Sequence, residues 1–204
     1  MPDVSLLDLY KSHCGKVSDK WSLYLFEYDR LLTNFRKKHL SLLEIGVQNG
    51  GSLEIWSKYF TEAERIVGCD IDPACASLQF EDARISVFVG DVNSSDIKDQ
   101  ILEAATEFDI VIDDGSHTSS DIVRSFVGYF SHVSEGGIYI AEDLHCSYWQ
   151  EFGGGISAPF SSMAFFKLLA DNVNYEHWGV EHVRSVFFDG FSAEYGVDVT
   201  ETML

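Results

Sequence analysis

From residue 41 onward, short unbroken apolar runs alternate with stretches whose apolar positions recur every three or four residues. The runs at 41–46, 65–70, 85–90, 108–113 and 137–142 are rich in Ile, Val and Leu, and read as strands buried on both faces. Helix signals fall between them. Ser52 is placed to cap a helix with Leu53, Trp56 and Phe60 on one face, and Ser95 one with Ile97, Ile101, Leu102 and Ala105. Ser119 or Ser120 precedes Ile122, Val123, Phe126, Val127 and Phe130 at the same spacing. Strand and helix in alternation predict βαβ units around a mostly parallel sheet, an α/β fold.

Both ends of the chain depart from that alternation. A helix is predicted over about 162–172, after which the strand-like runs 183–188 and 191–195 flank Asp189-Gly190, a hairpin signal that predicts an antiparallel finish. The first 40 residues predict helices over 6–11 and 21–38, with Leu25, Leu32 and Phe35 available to pack on the sheet domain. The expected organisation is a helical cap, 1–40, on a single folding unit, 41–204, without repeats or low-complexity linkers.

Bulk properties restrict the function classes. With 204 residues, 46% of them hydrophobic, the chain builds one well-buried core and is short for two ordinary domains. A formal net charge of -19 repels phosphate backbones and anionic lipid, so neither nucleic acid nor a membrane is the expected partner. Cys14, Cys69, Cys75 and Cys146 form no C-x-x-C pair and no zinc spacing, and read as reduced thiols of a cytoplasmic protein. The N-terminus shows no export signal, and no stretch is apolar for long enough to span a bilayer.

Two of the apolar runs end in acids. The fourth continues into Asp113-Asp114-Gly115-Ser116-His117, and the fifth into Glu142-Asp143. Ligand chemistry in open parallel sheets collects at the carboxyl ends of strands, so these acids are expected together. Asp114, Glu142 and Asp143 then supply hard oxygen ligands suited to Mg²⁺, with His117 as general base beside them and His145 in reserve. The next stretch, with Tyr148, Trp149, Phe152 and three glycines, is placed to form a sugar-stacking wall, a lid or an ordinary ordered loop.

The cofactor signal lies at the other strand ends. Glu44-Ile45-Gly46 and Gly50-Gly51-Ser52 join the first strand to the first helix of the alternation, where glycines admit a tight turn and a close ligand. A dinucleotide loop needs glycine where this chain has Gln48, which disfavours nicotinamide and flavin. Glu44 suits a ligand bearing an ammonium group. Asp70 stands where an acid grips ribose hydroxyls, and Asp91 where one meets an exocyclic amine. The ordered set fits S-adenosylmethionine (SAM), with Glu44, Gly46, Gly50, Ser52, Asp70, Asp91 and Asp113 as cofactor-binding residues. Lys20, Tyr24 and Tyr28 of the cap are placed to cover the cofactor or simply to pack between helices.

Over residues 42–174 the chain resembles the class I SAM-dependent methyltransferases. More narrowly, the segments 44–53, 112–117 and 142–149 resemble the metal-dependent sugar O-methyltransferases of macrolide biosynthesis, of mycinamicin and macrocin type, and are similar to proteins labelled cephalosporin hydroxylase. The resemblance implies a Rossmann-like sheet of order 3-2-1-4-5-7-6 with its last strand pair antiparallel. It also implies Mg²⁺ on Asp114, Glu142 and Asp143, His117 as base, and Gly46, Asp70 and Asp91 in the cofactor pocket. Those enzymes carry a large N-terminal auxiliary domain, whereas about 40 residues precede the first strand here. The expectation is that a neighbouring copy closes the pocket in a homo-oligomer.

Methyl transfer from a sulfonium is an in-line displacement that needs an aligned acceptor oxygen and a proton acceptor. The expected function is Mg²⁺-dependent O-methylation of a sugar-containing small molecule or glycan. Two alternatives stay open: a SAM-binding subunit with a regulatory or scaffolding role, and a catechol-type O-methyltransferase.

Overall fold

The computed structural model describes residues 4–179, 183–200 and 203–204. Its five strands are β1 (Ser41–Ile45), β2 (Arg65–Asp70), β3 (Ile85–Val89), β4 (Phe108–Asp113) and β5 (Val133–Ala141), in the order β3-β2-β1-β4-β5. β1 runs parallel to β2 with Leu43 opposite Val67, and β2 parallel to β3 with Gly68 opposite Val87. Leu42, Leu43, Ile66 and Val67 are all fully buried, which is why these strands carry apolar residues on both faces. By contact the chain divides into two compact units: Met1–Ile112 with Ser134–Ile138, and Asp113–Val133 with Tyr139–Leu204.

In the first unit, α1 (Leu6–Ser12) and α2 (Ser22–Leu32) precede the sheet, α3 (Gly51–Tyr59) follows β1, and α4 (Ser95–Ala104) follows β3. Ser5 caps α1 by accepting from the Asp8 amide at 3.1 Å. Asp29 of α2 ties the cap down, accepting from the Leu6 amide at 2.9 Å and from the Tyr59 hydroxyl at 2.8 Å. Trp56 is fully buried and takes Tyr28 edge-on at 5.3 Å. At the far end of α3, Arg84 donates to the carbonyls of Ser57, Phe60, Thr61 and Ala63, the groups a helix terminus leaves unpaired. Asp82 holds that guanidinium, which in turn draws the Asp82 carboxyl below its usual range.

The second unit is built on α5 (Ser119–Tyr129), α6 (Ser162–Val173) and α7 (Asp189–Tyr195). Val123, Phe126, Phe165, Phe188, Phe191 and Val199 form its core, with Phe165 edge-on to Phe188 at 5.4 Å and to Phe191 at 5.2 Å.

Several sequence expectations are corrected here. The strand order agrees with the expected one through its first five members, but the antiparallel pair is absent, and no strand follows β5 among the described residues. Arg184–Phe188 is a 3-10 turn that runs into α7. The turn type favoured by Asp-Gly needs positive φ at both residues, and neither Asp189 nor Gly190 has it. Instead Phe188, Phe191 and Tyr195 follow a helical spacing, and Gly190 leaves room for the Phe160 ring. Helix α2 stops at Leu32, followed by a 3-10 turn, Thr33–Phe35. The true N-caps are Gly50, Ser94 and Thr118, not Ser52, Ser95 and Ser119 or Ser120.

Candidate functional site

The loop between β1 and α3 contains three residues in left-handed backbone, Gly46 (φ 90°), Gln48 (φ 53°) and Gly50 (φ 86°). A β-carbon on Gly51 would run into the Val17 backbone, so only glycine lets the cap pass so close. The end of β2 fixes the loop's shape. Asp70 Oδ2 accepts from the amides of Val47 at 2.8 Å and Gln48 at 2.7 Å, while Oδ1 accepts from Asp72 at 2.9 Å.

Glu44, expected to meet an ammonium group, is fully buried. Its carboxylate accepts from Ser52 Oγ at 2.6 Å and Trp56 Nε1 at 3.3 Å, and lies 3.5 Å from Lys20 Nζ. A buried charge needs such partners, so Glu44, Ser52 and Lys20 form an interior tie between cap and loop. Asp91 is exposed at the end of β3, with Oδ1 accepting from the Asn93 amide at 2.9 Å.

At the end of β4, neighbouring acids face opposite ways, as the pleat requires. Asp113, expected among the cofactor-binding residues, is 5% exposed and bonded to interior donors. It accepts from Ser125 Oγ, from the Tyr139 hydroxyl at 3.2 Å and from the Gly115 amide at 3.3 Å. Burial pushes the Asp113 carboxyl up to about 6, against the pull of these donors and of His117. Burial, with Asp113 beside it, likewise holds the Tyr139 hydroxyl well above its ordinary range.

Asp114 faces the other way. With His117 and Asp143 it forms a group whose ligand atoms all lie within 4.8 Å of one another, the arrangement that could hold a metal ion. His117 Nε2 is 3.9 Å from Asp114 Oδ1 and 3.9 Å from Asp143 Oδ2, and His145 Nδ1 is 3.8 Å from Asp143 Oδ1. His117 (φ 58°) and Asp143 (φ 52°) both sit in left-handed backbone, which costs a non-glycine residue about 1 kcal/mol or more. Glu142 falls outside the cluster: it is 5% exposed, and its amide donates to the Asp113 carbonyl at 2.9 Å.

After Asp143, Trp149 meets the His145 ring edge-on at 5.1 Å and Phe152 at 5.9 Å. Tyr148 and Trp149 are nearly half exposed. The glycine-rich stretch is an ordered turn. Gly154 donates to the Trp149 carbonyl and Gly155 to that of Ser147, both at 2.9 Å, and a β-carbon on Gly154 would strike the Ser147 backbone.

Sequence reasoning missed Ser125 and Tyr139. Ser125 was detectable as a hydroxyl on the apolar face that Ile122, Val123 and Phe126 define. With Ser125→Ala and Tyr139→Phe combined, Asp113 keeps its burial and loses two donors, so stability is expected to fall by about 2–4 kcal/mol. Divalent-ion affinity is expected to fall about tenfold or more, because the turn carrying Asp114 loses its anchor. Thermal unfolding and ion titration check the two effects separately.

A parallel sheet with a glycine loop after its first strand and an acid-histidine cluster at its fourth and fifth strand ends defines a Rossmann-like methyltransferase. Residues 43–144 match the family described as "Methyltransferase domain", and the chain belongs to that family. It is 35% identical to the demethylmacrocin O-methyltransferase of Streptomyces fradiae, over 87% of this chain and 47% of the relative. It is also 35% identical to the mycinamicin VI 2''-O-methyltransferase of Micromonospora griseorubida, over 78% of this chain and 41% of that one. The chain thus spans about half the length of the curated relatives it matches. Among solved structures it is similar to MycE methyltransferase of the mycinamycin pathway, in complex with Mg, SAH and mycinamycin VI. That match has a TM-score of 0.73 and 31% identity, covering 85% of this chain and 49% of that one.

Proposed function

We propose that this protein transfers a methyl group from SAM to a hydroxyl of a sugar-bearing small molecule, with Mg²⁺ at the acidic cluster. The observation that carries the proposal is the convergence of Asp114, His117 and Asp143. Hard carboxylate oxygens suit Mg²⁺, and Asp114 and Asp143 would hold it, with Glu142 next in line. A bound Mg²⁺ supplies positive charge against the alkoxide that develops on the acceptor oxygen. His117, fixed between the two carboxylates, receives the hydroxyl proton on Nε2, and His145 is the reserve for that role. On the cofactor side, the loop at Gly46 and Gly50 and the acids Asp70 and Asp91 would seat SAM, and Trp149 and Phe152 offer the acceptor an aromatic wall.

The relatives named above are O-methyltransferases of demethylmacrocin and mycinamicin VI, which supports a hydroxyl oxygen as the acceptor, and the resemblance to the macrolide sugar O-methyltransferases supports placing it on a sugar. The left-handed His117 favours catalysis over a purely cofactor-binding subunit, which has no use for a strained base. All four cysteines are free, in keeping with a cytoplasmic setting, and no helix among the described residues is long and apolar enough to cross a membrane. Calorimetric titration with SAM, then Mg²⁺, tests the proposal: both are expected to bind, and EDTA is expected to abolish methyl transfer. Absence of SAM binding overturns it.

A further inference from the structure

The second unit contains a groove of about 610 Å³ that the roles assigned so far leave largely unused. Its lining includes Thr118, which follows His117 in the chain. The aromatic series from His145 through Trp149 reaches it at Phe152. Its aromatic side chains are Phe152, Phe160 and Tyr195, and its polar ones include Ser120, Asp121 and Glu194.

These walls are built rather than incidental. The Tyr195 hydroxyl donates to the Phe160 carbonyl at 2.5 Å, and Phe160 lies edge-on to Phe191 at 5.5 Å. Asp121 Oδ2 accepts from Ser116 Oγ at 2.6 Å, which holds the acid at the start of α5. Among the described residues, two carboxylates and no cation line the groove. Arg124 donates its Nε–H to the Tyr195 carbonyl at 3.0 Å and is not part of the lining.

Aromatic faces beside hydroxyl and carboxylate acceptors suit a ring with C–H faces and O–H or N–H donors. The two acids, the neighbouring cluster and a net charge of -19 set the field against anions. Resting on the methyltransferase reading, we propose that this groove seats the acceptor glycoside and selects it by charge. Amine-bearing and neutral sugars enter; sugar phosphates, nucleotide sugars and uronic acids are turned away.

The test is ligand-observed NMR titration of the full chain at low salt with three probes: a methyl aminoglucoside, methyl glucoside and a glucose phosphate. The aminoglucoside is expected to bind about fivefold tighter than the neutral glycoside, and the phosphate at least as much weaker, with both gaps narrowing as salt is added. Glu194→Lys is expected to erase or reverse the order, and Phe152→Ala to weaken the amine-bearing and neutral sugars alike. A phosphate that binds as well as the neutral sugar, an order unmoved by Glu194→Lys, or no binding of any probe in the millimolar range overturns the inference. SAM titration of the same samples separates the two claims. SAM bound without the charge order defeats the groove alone, whereas no SAM binding defeats the methyltransferase reading.

Discussion

His117→Ala is expected to bind SAM as the wild type does and to lose methyl transfer by about 10²- to 10⁴-fold, the usual contribution of a positioned general base. The expectation rests on position. His117 is held 3.9 Å from each of two carboxylates and lies on a turn that no cofactor-loop residue shares. Alanine in left-handed backbone carries the same kind of strain without the imidazole, so folding is checked by thermal unfolding alongside single-turnover rates. A second variant isolates the proton transfer: His117→Gln keeps a polar side chain of similar reach and no base, and is expected to be as slow as alanine. Turnover at the wild-type rate in either variant would remove His117 from the proton's path and move attention to His145.

The other large effect belongs to the acids. Glu142→Ala/Asp143→Ala is expected to abolish the Mg²⁺ signal in calorimetry, leave SAM binding within about threefold, and reduce turnover by about 10³-fold or more, as loss of a metal centre does. Because Glu142 is buried, Asp143→Asn serves as a milder companion. Asparagine tolerates the left-handed backbone at that position and removes only the charge. If Mg²⁺ still bound with full affinity to both variants, the cluster at Asp114, His117 and Asp143 would not be the metal site.

Much of the architecture was legible because strands buried on both faces have no polar side to disguise them. Leu42 to Ile45 and Ile110 to Ile112 announce themselves without any neighbour in view. The acids after β4 and β5 were legible because a carboxylate that ends an apolar run has to face something. Residues 183–195 were misread because aromatic and β-branched residues around Asp-Gly satisfy a hairpin pattern and a helical spacing at once. The packing of Phe188 and Phe191 on Phe165 decided between them, and that contact is visible only in three dimensions. The interior partners of Glu44 and Asp113 were not legible for a related reason. A sequence shows that an acid lies at a strand end, but not whether Ser52 and Lys20, or Ser125 and Tyr139, wait inside to receive it.

Asp70 belongs to one strand and shapes the loop of another, with its two oxygens on three backbone amides. These bonds hold the loop's conformation without a ligand, and any ligand the loop receives is spared the cost of ordering it, about 1–2 kcal/mol for each backbone residue that would otherwise have to be fixed. A transplanted Gly46–Ser52 segment without its partner acid would carry the glycines and leave the shape behind. In this fold the glycine loop is a feature of two strands, and any attempt to move or redesign it has to carry both.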